Sequence, residues 1–299
     1  MKNQIKNAIC FGEILWDIFP DGKKLGGAPL NVANRIAQNG VDATIISAVG
    51  RDSLGQAIRS AISEMKVKSL IQTHNSLPTG TVEVVLNNKG SASYTIVEPV
   101  AWDAINLEAA IKADVQNCDC LIFGSLATRN EISRKTLAAL LPIASFRVFD
   151  INLRPPHYDF KTINELMRQA DLVKLNEEEL LEIVNQLGGP TNNIEKQVQF
   201  IADFSQTDQL CVTLGEKGAL WFKRSKFIYQ SGFPITVKDT VGAGDSFLGT
   251  LVTGLLLEEK PEKTLAKACA MGALVASKSG ANPQIREEEL TNLLRQQSQ

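Results

Sequence analysis

A glycine-rich turn that runs directly into a helix carries the residues best suited to chemistry in this sequence. The turn spans residues 239–245 with the sequence D-T-V-G-A-G-D, and apolar residues at helical spacing follow it from Phe247 to Leu256. Backbone N–H groups at a helix start lack intrahelical partners and lie at the positive end of the helix dipole, so they can bind a phosphoryl oxygen. Asp245 in the same turn can accept a proton from an attacking hydroxyl group. The turn therefore predicts phosphoryl transfer, with Asp245 as the catalytic base.

A purely structural role for Asp245 fits the local sequence equally well, because aspartate commonly caps a helix. The G-A-G-D tetrapeptide is a weak signal by itself. Neither G-x-x-x-x-G-K-[ST] nor a complete G-x-G-x-x-G motif occurs in the sequence. This argues against a Walker-type ATPase and against a classical dinucleotide site.

Two charged residues near predicted strands are suited to bind a polyhydroxyl acceptor and a phosphate. Asp17 lies in the apolar segment 15–19, so its ionised carboxylate needs solvent or a hydrogen-bonded partner, which sugar hydroxyl groups would supply. Arg154 follows Asp150 and Asn152 at the carboxyl end of a predicted strand, and its planar guanidinium suits phosphate oxygens. A surface position is the alternative for Arg154.

The elements that must position these residues alternate between strand and helix. Apolar, β-rich runs are predicted as strands at Ala8–Gly12, Ala43–Gly50, Cys120–Ser125, Phe146–Asn152, Leu172–Asn176 and Gln209–Gly215. Helical patterns lie between them at Pro29–Gln38, Leu54–Met65, Ser133–Leu141, Glu177–Gln186 and Asn193–Asp203. Alternation of this kind favours an α/β fold with a mostly parallel sheet covered by helices on both faces. Its ligands are expected beyond the carboxyl ends of the strands.

One segment breaks the alternation. Two extended runs, Thr81–Leu86 and Ser91–Val97, are separated by N-N-K-G, which favours a β-hairpin. Together with the strand-like segment Leu15–Phe19, the hairpin is predicted to form a small β lid inserted into the α/β domain. An edge hairpin of the main sheet is the alternative.

Composition restricts the class of protein. The chain has 299 residues, of which 44% are hydrophobic, enough for one large domain or two modest ones. Its 31 basic and 33 acidic residues nearly cancel, which disfavours nucleic acid or an anionic membrane as a partner. The N-terminal residues fit neither a secretory signal nor a membrane anchor, and no apolar run is long enough to span a bilayer, so we expect a cytoplasmic protein.

The five cysteines indicate neither a disulfide framework nor a metal site. Their number is odd, and the closest pair is C-x-C without the second pair or the histidines that zinc requires. We interpret them as reduced core residues: Cys10, Cys118, Cys120, Cys211 and Cys269.

Two motifs at opposite ends of the chain resemble signatures of the ribokinase family, also called PfkB carbohydrate kinases. The C-terminal motif is D-T-V-G-A-G-D-S-F-L-G-T-L at 239–251, and the N-terminal motif is G-G-A-P-L-N-V-A at 26–33. The likeness covers essentially the whole chain, and G-E-I-L-W-D at 12–17 and D-I-N-L-R-P-P at 150–156 resemble fructokinases most. The resemblance implies a single ribokinase-like three-layer α/β/α domain over residues 1–299, with lid segments at about 13–25 and 79–98.

For the phosphate end, the resemblance implies that Asp245 is the catalytic base and that amides from Gly242, Ala243 and Gly244 to Asp245 form an anion hole. Gly242 and Gly244 would also contact the nucleotide. By local sequence alone, Asn176-x-x-Glu179 is a helix N-cap with a capping box. In the family the same motif helps to hold magnesium and phosphate, so Asn176 is expected near the nucleotide and Glu179 near Mg²⁺ through water. The cap and the functional role are compatible.

For the nucleotide, the resemblance implies contacts from Thr213 and Gly215 near the ribose and phosphates, and from Gly280 and Ala281 near the adenine. A simple strand-to-hairpin turn at 213–215 and tight helix packing before residue 280 are the alternatives. The family also often binds a monovalent cation such as K⁺ in loops that match Asp239 and Gly280.

For the acceptor, the resemblance implies that Asp17, Gly26, Gly27 and Asn31 hold the sugar, with Arg154 contacting the acceptor and the migrating phosphate. The expected function is transfer of the γ-phosphate of ATP to a sugar hydroxyl, most specifically fructose to fructose 6-phosphate. Ribose, 2-keto-3-deoxygluconate or a nucleoside are alternative acceptors, and a non-catalytic structural or regulatory relative is the alternative class. Many relatives use the lid as a dimer interface, so a homodimer through the lid is implied as well.

Overall fold

A computed structural model of the chain describes residues 6–20, 22–86 and 92–296. In these ranges the strands are β1 (Asn7–Phe11), β2 (Leu15–Phe19), β3 (Gly22–Gly26), β4 (Asp42–Gly50), β5 (Lys68–His74), β6 (Gly80–Leu86), β7 (Ala92–Ile96), β8 (Cys120–Gly124), β9 (Arg147–Asp150), β10 (Leu172–Asn176), β11 (Gln209–Thr213), β12 (Gly218–Lys223) and β13 (Lys226–Ser231). The helices are α1 (Ala28–Gln38), α2 (Ser53–Ser63), α3 (Ala109–Gln116), α4 (Glu131–Leu140), α5 (Phe160–Met167), α6 (Glu177–Gln186), α7 (Ile194–Ser205), α8 (Ala243–Leu256), α9 (Pro261–Ala276) and α10 (Glu287–Gln296).

The main sheet has nine strands within the described ranges, in the order β13-β12-β11-β10-β9-β8-β1-β4-β5. The strands from β11 to β5 pair in parallel, whereas β12 and β13 join the edge by antiparallel pairing. The order changes direction between β8 and β1, which are neighbours in the sheet although β2 to β7 lie between them in the chain. Ligands of open α/β sheets bind beyond the carboxyl ends of the strands near such a point. This edge carries Asp150, Asn176 and Thr213 at strand ends.

Helices cover both faces of this sheet because successive side chains of a strand point to opposite sides. In β1, Ile9 and Phe11 belong to one buried cluster together with α3 to α7. Ala8 and Cys10 belong to a second cluster together with α1, α2 and α8 to α10. The predicted three layers of helix, sheet and helix are confirmed.

A second, four-stranded sheet has the order β3-β2-β6-β7 and mixed pairing, since β2 and β6 run in parallel and the other two pairs are antiparallel. Leu15 and Val82 form a small buried cluster of this sheet, and Phe19 and Ile96 pack against it. The Trp16 indole N–H donates to the Leu54 carbonyl oxygen at 3.1 Å and joins the sheet to the residues of α2. The small sheet is therefore attached to the α/β layers and separate from the main sheet.

Most strand and helix predictions are confirmed within a few residues. The predicted strand at 172–176 and helix at 177–186 match β10 and α6. The hairpin prediction is confirmed by the antiparallel pairing of β6 and β7, while the predicted turn N-N-K-G lies outside the described residues. The alternative of an edge hairpin in the main sheet is wrong, since the hairpin pairs with β2.

All five cysteines are buried and free, which confirms their interpretation as reduced core residues. No helix in the part of the chain that the structure describes is long and apolar enough to cross a bilayer.

Candidate active site

Asp245 lies in the first turn of α8, in contact with a residue from the opposite end of the chain. The Asn31 side-chain N–H of α1 donates a hydrogen bond of 2.8 Å to Asp245 Oδ2. Asn31 is buried with 4% of its surface exposed, and Asp245 is half-buried. The two signature motifs therefore meet at one carboxylate, the residue predicted to be the base.

The electrostatic surroundings of Asp245 raise its pKa from 3.8 to about 6. Burial is the largest cause, and the nearby carboxylate of Asp150 adds to it. The hydrogen bond from Asn31 and the positive charges of Lys174 and Arg154 act in the opposite direction. A carboxylate in this range is deprotonated at neutral pH and is a stronger base than an exposed aspartate, as general-base catalysis requires.

The start of α8 offers backbone N–H groups to an anion. The N–H of Ala243 donates to the Thr240 carbonyl oxygen at 3.2 Å, so one predicted member of the anion hole already has a partner. The N–H groups of Gly242, Gly244 and Asp245 have no protein acceptor within the described ranges. Three amides at the positive end of a 14-residue helix can bind phosphoryl oxygens.

Gly242 is the residue at which this turn needs glycine. Its φ is +76°, and a Cβ added there would lie 2.3 Å from the Ala281 carbonyl oxygen. The turn 239–245 can therefore pack directly on Gly280 and Ala281, which the resemblance places beside the adenine. Any larger residue at 242 would separate the two loops.

A buried ion pair lies behind this anion site. Lys174 Nζ is 3.0 Å from Asp150 Oδ1, and both side chains are less than 10% exposed. A Cβ added at Gly244 would lie 3.5 Å from the same Nζ, so the ammonium group lies directly against the turn. Burial lowers the pKa of Lys174, but Asp150, Glu179 and Asp245 outweigh it and the net change is upward, so the lysine is charged. No role for this pair follows from the sequence patterns alone.

Glu13, which precedes β2, is a further residue for which the sequence patterns predict no role. It is 3% exposed, and its Oε2 atom has no hydrogen-bond partner in the described part of the chain. Burial raises the pKa of Glu13 to about 7, and Asp245 and Asp150 contribute to the rise while Arg154 opposes it. A lone glutamate in the apolar run G-E-I-L-W is the signal that could have identified it.

Asn176 and Glu179 form the capping box expected from local sequence. Asn176 Oδ1 accepts from the Glu179 N–H at 2.8 Å, and Glu179 Oε2 accepts from the Asn176 N–H at 2.9 Å. Glu179 Oε1 also accepts from the Leu153 N–H at 2.9 Å, which ties α6 to the loop of Arg154. Burial raises the pKa of Glu179, with Lys174 opposing the rise. The cap fixes this carboxylate beside Lys174 and Asp150.

The nucleotide-side residues lie on adjacent strands and loops. Thr213 at the end of β11 is paired in register with Asn176 at the end of β10. Gly215 follows in the turn to β12 with φ +58°. Asp239 accepts from the Val241 N–H at 3.1 Å and from the Gly280 N–H at 3.0 Å, so it joins the two loops that pack at Gly242. The fold thus brings the predicted nucleotide and cation residues to the same edge as Asp245.

The predicted acceptor residues Asp17, Gly26, Gly27 and Asn31 lie along β2, β3 and the start of α1. Asp17 of β2 faces Lys24 across the β2–β3 pair; burial raises its pKa and Lys24 opposes the rise. A Cβ at Gly26 would lie 2.7 Å from Asp17 Oδ2, so the missing side chain leaves room for this carboxylate. Gly27 has φ +110°, and a Cβ there would lie 2.4 Å from the Glu13 carbonyl oxygen.

Arg154 is exposed, and its guanidinium donates a hydrogen bond to the Leu153 carbonyl oxygen at 3.3 Å. Its charge nevertheless acts on the pKa of both Glu13 and Asp245, so it lies on the same side of the sheet as the base. An exposed guanidinium near the base is available to a phosphate or sugar oxygen.

The described residues include no group of three or more histidine, cysteine, aspartate or glutamate side chains arranged to hold a metal ion. A site built from one carboxylate and substrate phosphates is the arrangement that Mg²⁺ commonly takes, because it keeps several waters. Glu179 fits this donor chemistry, because each of its oxygens accepts one backbone N–H and keeps a further lone pair.

Solved structures show the fold. The crystal structure of a fructokinase from Xylella fastidiosa with bound ATP superposes with a TM-score of 0.85 at 24% identity, covering 99% of this chain and 100% of that one. A fructokinase from Vibrio cholerae O395, in a form with fructose, ADP and calcium ion bound, has a TM-score of 0.83 at 27% identity and covers 97% of this chain and 99% of its own. The ribokinase-like fold prediction is confirmed.

Sequence comparison shows the family. The model of the pfkB family carbohydrate kinase matches residues 13–288. The fructokinase of Salmonella typhimurium is 31% identical over 291 residues, which is 90% of this chain and 93% of that protein. The chain therefore belongs to the pfkB family and is an ATP-dependent carbohydrate kinase.

Proposed function

We propose that this kinase phosphorylates fructose to fructose 6-phosphate, with Mg²⁺-bound ATP as the phosphoryl donor. The observation that carries the site assignment is the position of Asp245. A carboxylate with raised pKa lies there in the same turn as three amides that have no protein acceptor within the described ranges, and it accepts a hydrogen bond from the acceptor-side residue Asn31 of α1. Fructose as the acceptor is supported by the Salmonella relative and by the fructose-bound Vibrio neighbour.

In the proposed reaction, the 6-hydroxyl oxygen of the sugar attacks the γ-phosphorus of ATP. Its proton passes to Asp245, the bond from the γ-phosphorus to the β,γ-bridging oxygen breaks, and ADP leaves. The N–H groups of Gly242, Gly244 and Asp245 bind the oxygens on which charge increases during transfer. Arg154 supplies a further positive charge at the acceptor side, where it also contacts the sugar.

Lys174 supports this arrangement from behind the turn. Its ammonium group lies against Gly244 and neutralises Asp150, which otherwise would repel both the nucleotide phosphates and the ionised form of Asp245. Mg²⁺ would neutralise the phosphate charge when it is bound, and Glu179 would hold it through water. Asn176 and Thr213, paired at the ends of β10 and β11, would face the nucleotide together with Gly215, Gly280 and Ala281.

The acceptor is held, in this proposal, by Asp17, Gly26, Gly27 and Asn31. The second N–H of the Asn31 amide has no acceptor among the described residues, so it can donate to a sugar oxygen while the first remains on Asp245. The small sheet of β2, β3, β6 and β7 would close over the sugar and exclude water, which otherwise competes as acceptor.

The remaining expectations stay proposals of the same kind. A K⁺-type ion would lie at the loops that Asp239 joins to Gly280. A homodimer would form through the small sheet, and light scattering of the purified protein tests it directly. The cytoplasm as its location also stays a prediction.

The experiment that tests the acceptor is an ADP-release assay over D-fructose, D-ribose, 2-keto-3-deoxygluconate and a set of nucleosides. We expect the highest kcat/KM with fructose, and no ADP release above the rate without acceptor for nucleosides. A higher kcat/KM for one of the other acceptors would replace fructose with that acceptor. Absence of sugar-dependent ADP release in every case would support a non-catalytic relative.

A further inference from the structure

Three asparagine side chains form a hydrogen-bonded chain that ends on the catalytic base. The Asn34 side-chain N–H donates to Asn282 Oδ1 at 3.0 Å, and the Asn282 side-chain N–H donates to Asn31 Oδ1 at 2.5 Å. The Asn31 side-chain N–H donates in turn to Asp245 Oδ2 at 2.8 Å. Asn31 and Asn34 are buried in α1, whereas Asn282 comes from the loop that follows α9.

The carboxylate fixes the direction of every bond in this chain. An ionised aspartate only accepts, so Asn31 must turn its N–H toward Asp245 and its oxygen away. That oxygen then requires a donor, which Asn282 provides, and the oxygen of Asn282 requires the donor from Asn34. Reversing the amide of Asn31 would place two oxygens against each other at the base.

The loop of Asn282 is held in place by contacts that do not involve the chain of asparagines. The Arg35 guanidinium donates to the Pro283 carbonyl oxygen at 3.1 Å and to Ser246 Oγ at 3.3 Å, which joins α1, α8 and this loop. Ala281 packs on Gly242, and Gly280 is bound by Asp239. The backbone at residue 282 is therefore fixed by its neighbours, and its side chain is available to orient Asn31.

We propose that Asn282 is a positioning residue for catalysis, which holds the Asn31 amide so that its N–H and not its oxygen faces Asp245. This inference rests on the proposed role of Asp245 as the base. The proposal adds Asn282, from the nucleotide-side loop after α9, which acts on Asp245 through the acceptor-side residue Asn31.

Replacement of Asn282 by aspartate, Asn282→Asp, gives the sharpest test. The new carboxylate still accepts from Asn34, but it has no N–H for Asn31 Oδ1. Asn31 then gains by rotating its amide, because its N–H can donate to the new carboxylate while its oxygen turns toward Asp245. An oxygen in that place is favourable only when Asp245 is protonated. Because the Asn31 hydrogen bond lowers the pKa of Asp245, its loss raises that pKa.

The other charged groups around Asp245 remain unchanged in this variant. They are Glu13 before β2, Asp150 of β9, Lys174 of β10 and Arg154 after β9. The measurement is the pH profile of kcat for the best acceptor, from pH 5 to 9. We expect the acidic limb of the kcat profile, where kcat falls as Asp245 becomes protonated, to lie about one pH unit higher in Asn282→Asp than in the wild type. This corresponds to about a tenfold loss of kcat at pH values below the limb.

Two further variants separate orientation from added charge. Asn282→Ala removes the donor without adding charge and should move the limb in the same direction by a smaller amount. Asn39→Asp is the matched control, because Asn39, which directly follows α1, also makes a side-chain hydrogen bond to a distant element, to Thr250 Oγ1 of α8 at 3.2 Å, but lies outside the chain of asparagines. In Asn39→Asp the acidic limb of the kcat profile should stay at the wild-type pH.

Each outcome decides the proposal. A shift in both Asn282 variants and none in Asn39→Asp supports it. An unchanged limb in both variants, with or without a lower melting temperature, assigns Asn282 a structural role only and overturns the proposal. A shift confined to Asn282→Asp shows that the added charge acts alone, which also overturns it. If the wild-type enzyme showed no sugar-dependent activity, the proposed function would fail instead.

Discussion

Glu13→Gln replaces a buried carboxylate with an amide of the same shape and therefore isolates the cost of burying its charge. Glu13 is 3% exposed, and its Oε2 atom has no hydrogen-bond partner among the residues described. Burial raises its pKa from 4.5 to about 7. The native state thus holds a proton on Glu13 over a pH range in which the unfolded chain has released it.

The sign and size of the effect follow from this difference. Between pH 4.5 and 7 the native state binds more protons than the unfolded state, so the stability that Glu13 contributes below pH 4.5 is lost as the pH rises to 7. Each pH unit in this window is worth about 1.4 kcal/mol, so the free energy of unfolding should fall by about 2–3 kcal/mol between pH 5 and pH 8. Glutamine does not titrate, so the variant should lack this component of the pH dependence.

Urea unfolding of the unliganded protein at pH 5 and pH 8 measures the effect. The free energy of unfolding of Glu13→Gln, relative to that of the wild type, should be about 2–3 kcal/mol higher at pH 8 than at pH 5. Asp245 and Glu179 are present in both proteins, so their contributions to the pH dependence of stability largely cancel in this comparison. Glu64→Gln, at an exposed glutamate that directly follows α2, is the matched control and should show no such difference. Parallel pH dependence in wild type and Glu13→Gln would show that the buried carboxyl group does not titrate as argued.

Three further predictions concern the site. Lys174→Met leaves Asp150 buried without its partner and should lower the free energy of unfolding by about 3–5 kcal/mol, and addition of Asp150→Asn should restore much of the loss in a urea titration. Asp17→Ala should leave sugar hydroxyls unpaired and reduce kcat/KM for fructose by the equivalent of about 1–3 kcal/mol, with the KM for ATP unchanged in the same assay. Glu179→Gln should raise the Mg²⁺ concentration needed for half-maximal activity with little change in melting temperature; the reverse pattern would assign Glu179 to the cap alone.

The parts of the fold that were predictable from sequence have local signals. The buried parallel strands are continuous apolar runs, and α6 and α7 begin at asparagine caps, so their bounds could be predicted closely. β5 was missed because it is an edge strand with a largely polar sequence, K-S-L-I-Q-T-H. β12 was missed because it follows β11 after one short turn and breaks the alternation of strand and helix.

The residues of the site likewise divide into those with a local sequence signal and those without one. Asp245 is identifiable because the turn and the helix that define its role are adjacent in sequence. The pair of Lys174 and Asp150 joins neighbouring strands, and the bond from Asn282 to Asn31 joins residues 251 positions apart. Such contacts depend on the register of strands and on loop packing, which a single sequence does not reveal. A lone lysine in the apolar strand L-V-K-L-N was the available signal for the ion pair.

Asp245→Asn tests most directly whether this aspartate is the base of a sugar kinase. ATP affinity should be measured by calorimetry and turnover by sugar-dependent ADP release with the same preparation. The asparagine still accepts from Asn31 but cannot take the hydroxyl proton at neutral pH. We predict nearly unchanged ATP affinity and a loss of turnover of about two to four orders of magnitude. Turnover near the wild-type value, with ATP still bound, would show that Asp245 is not the base.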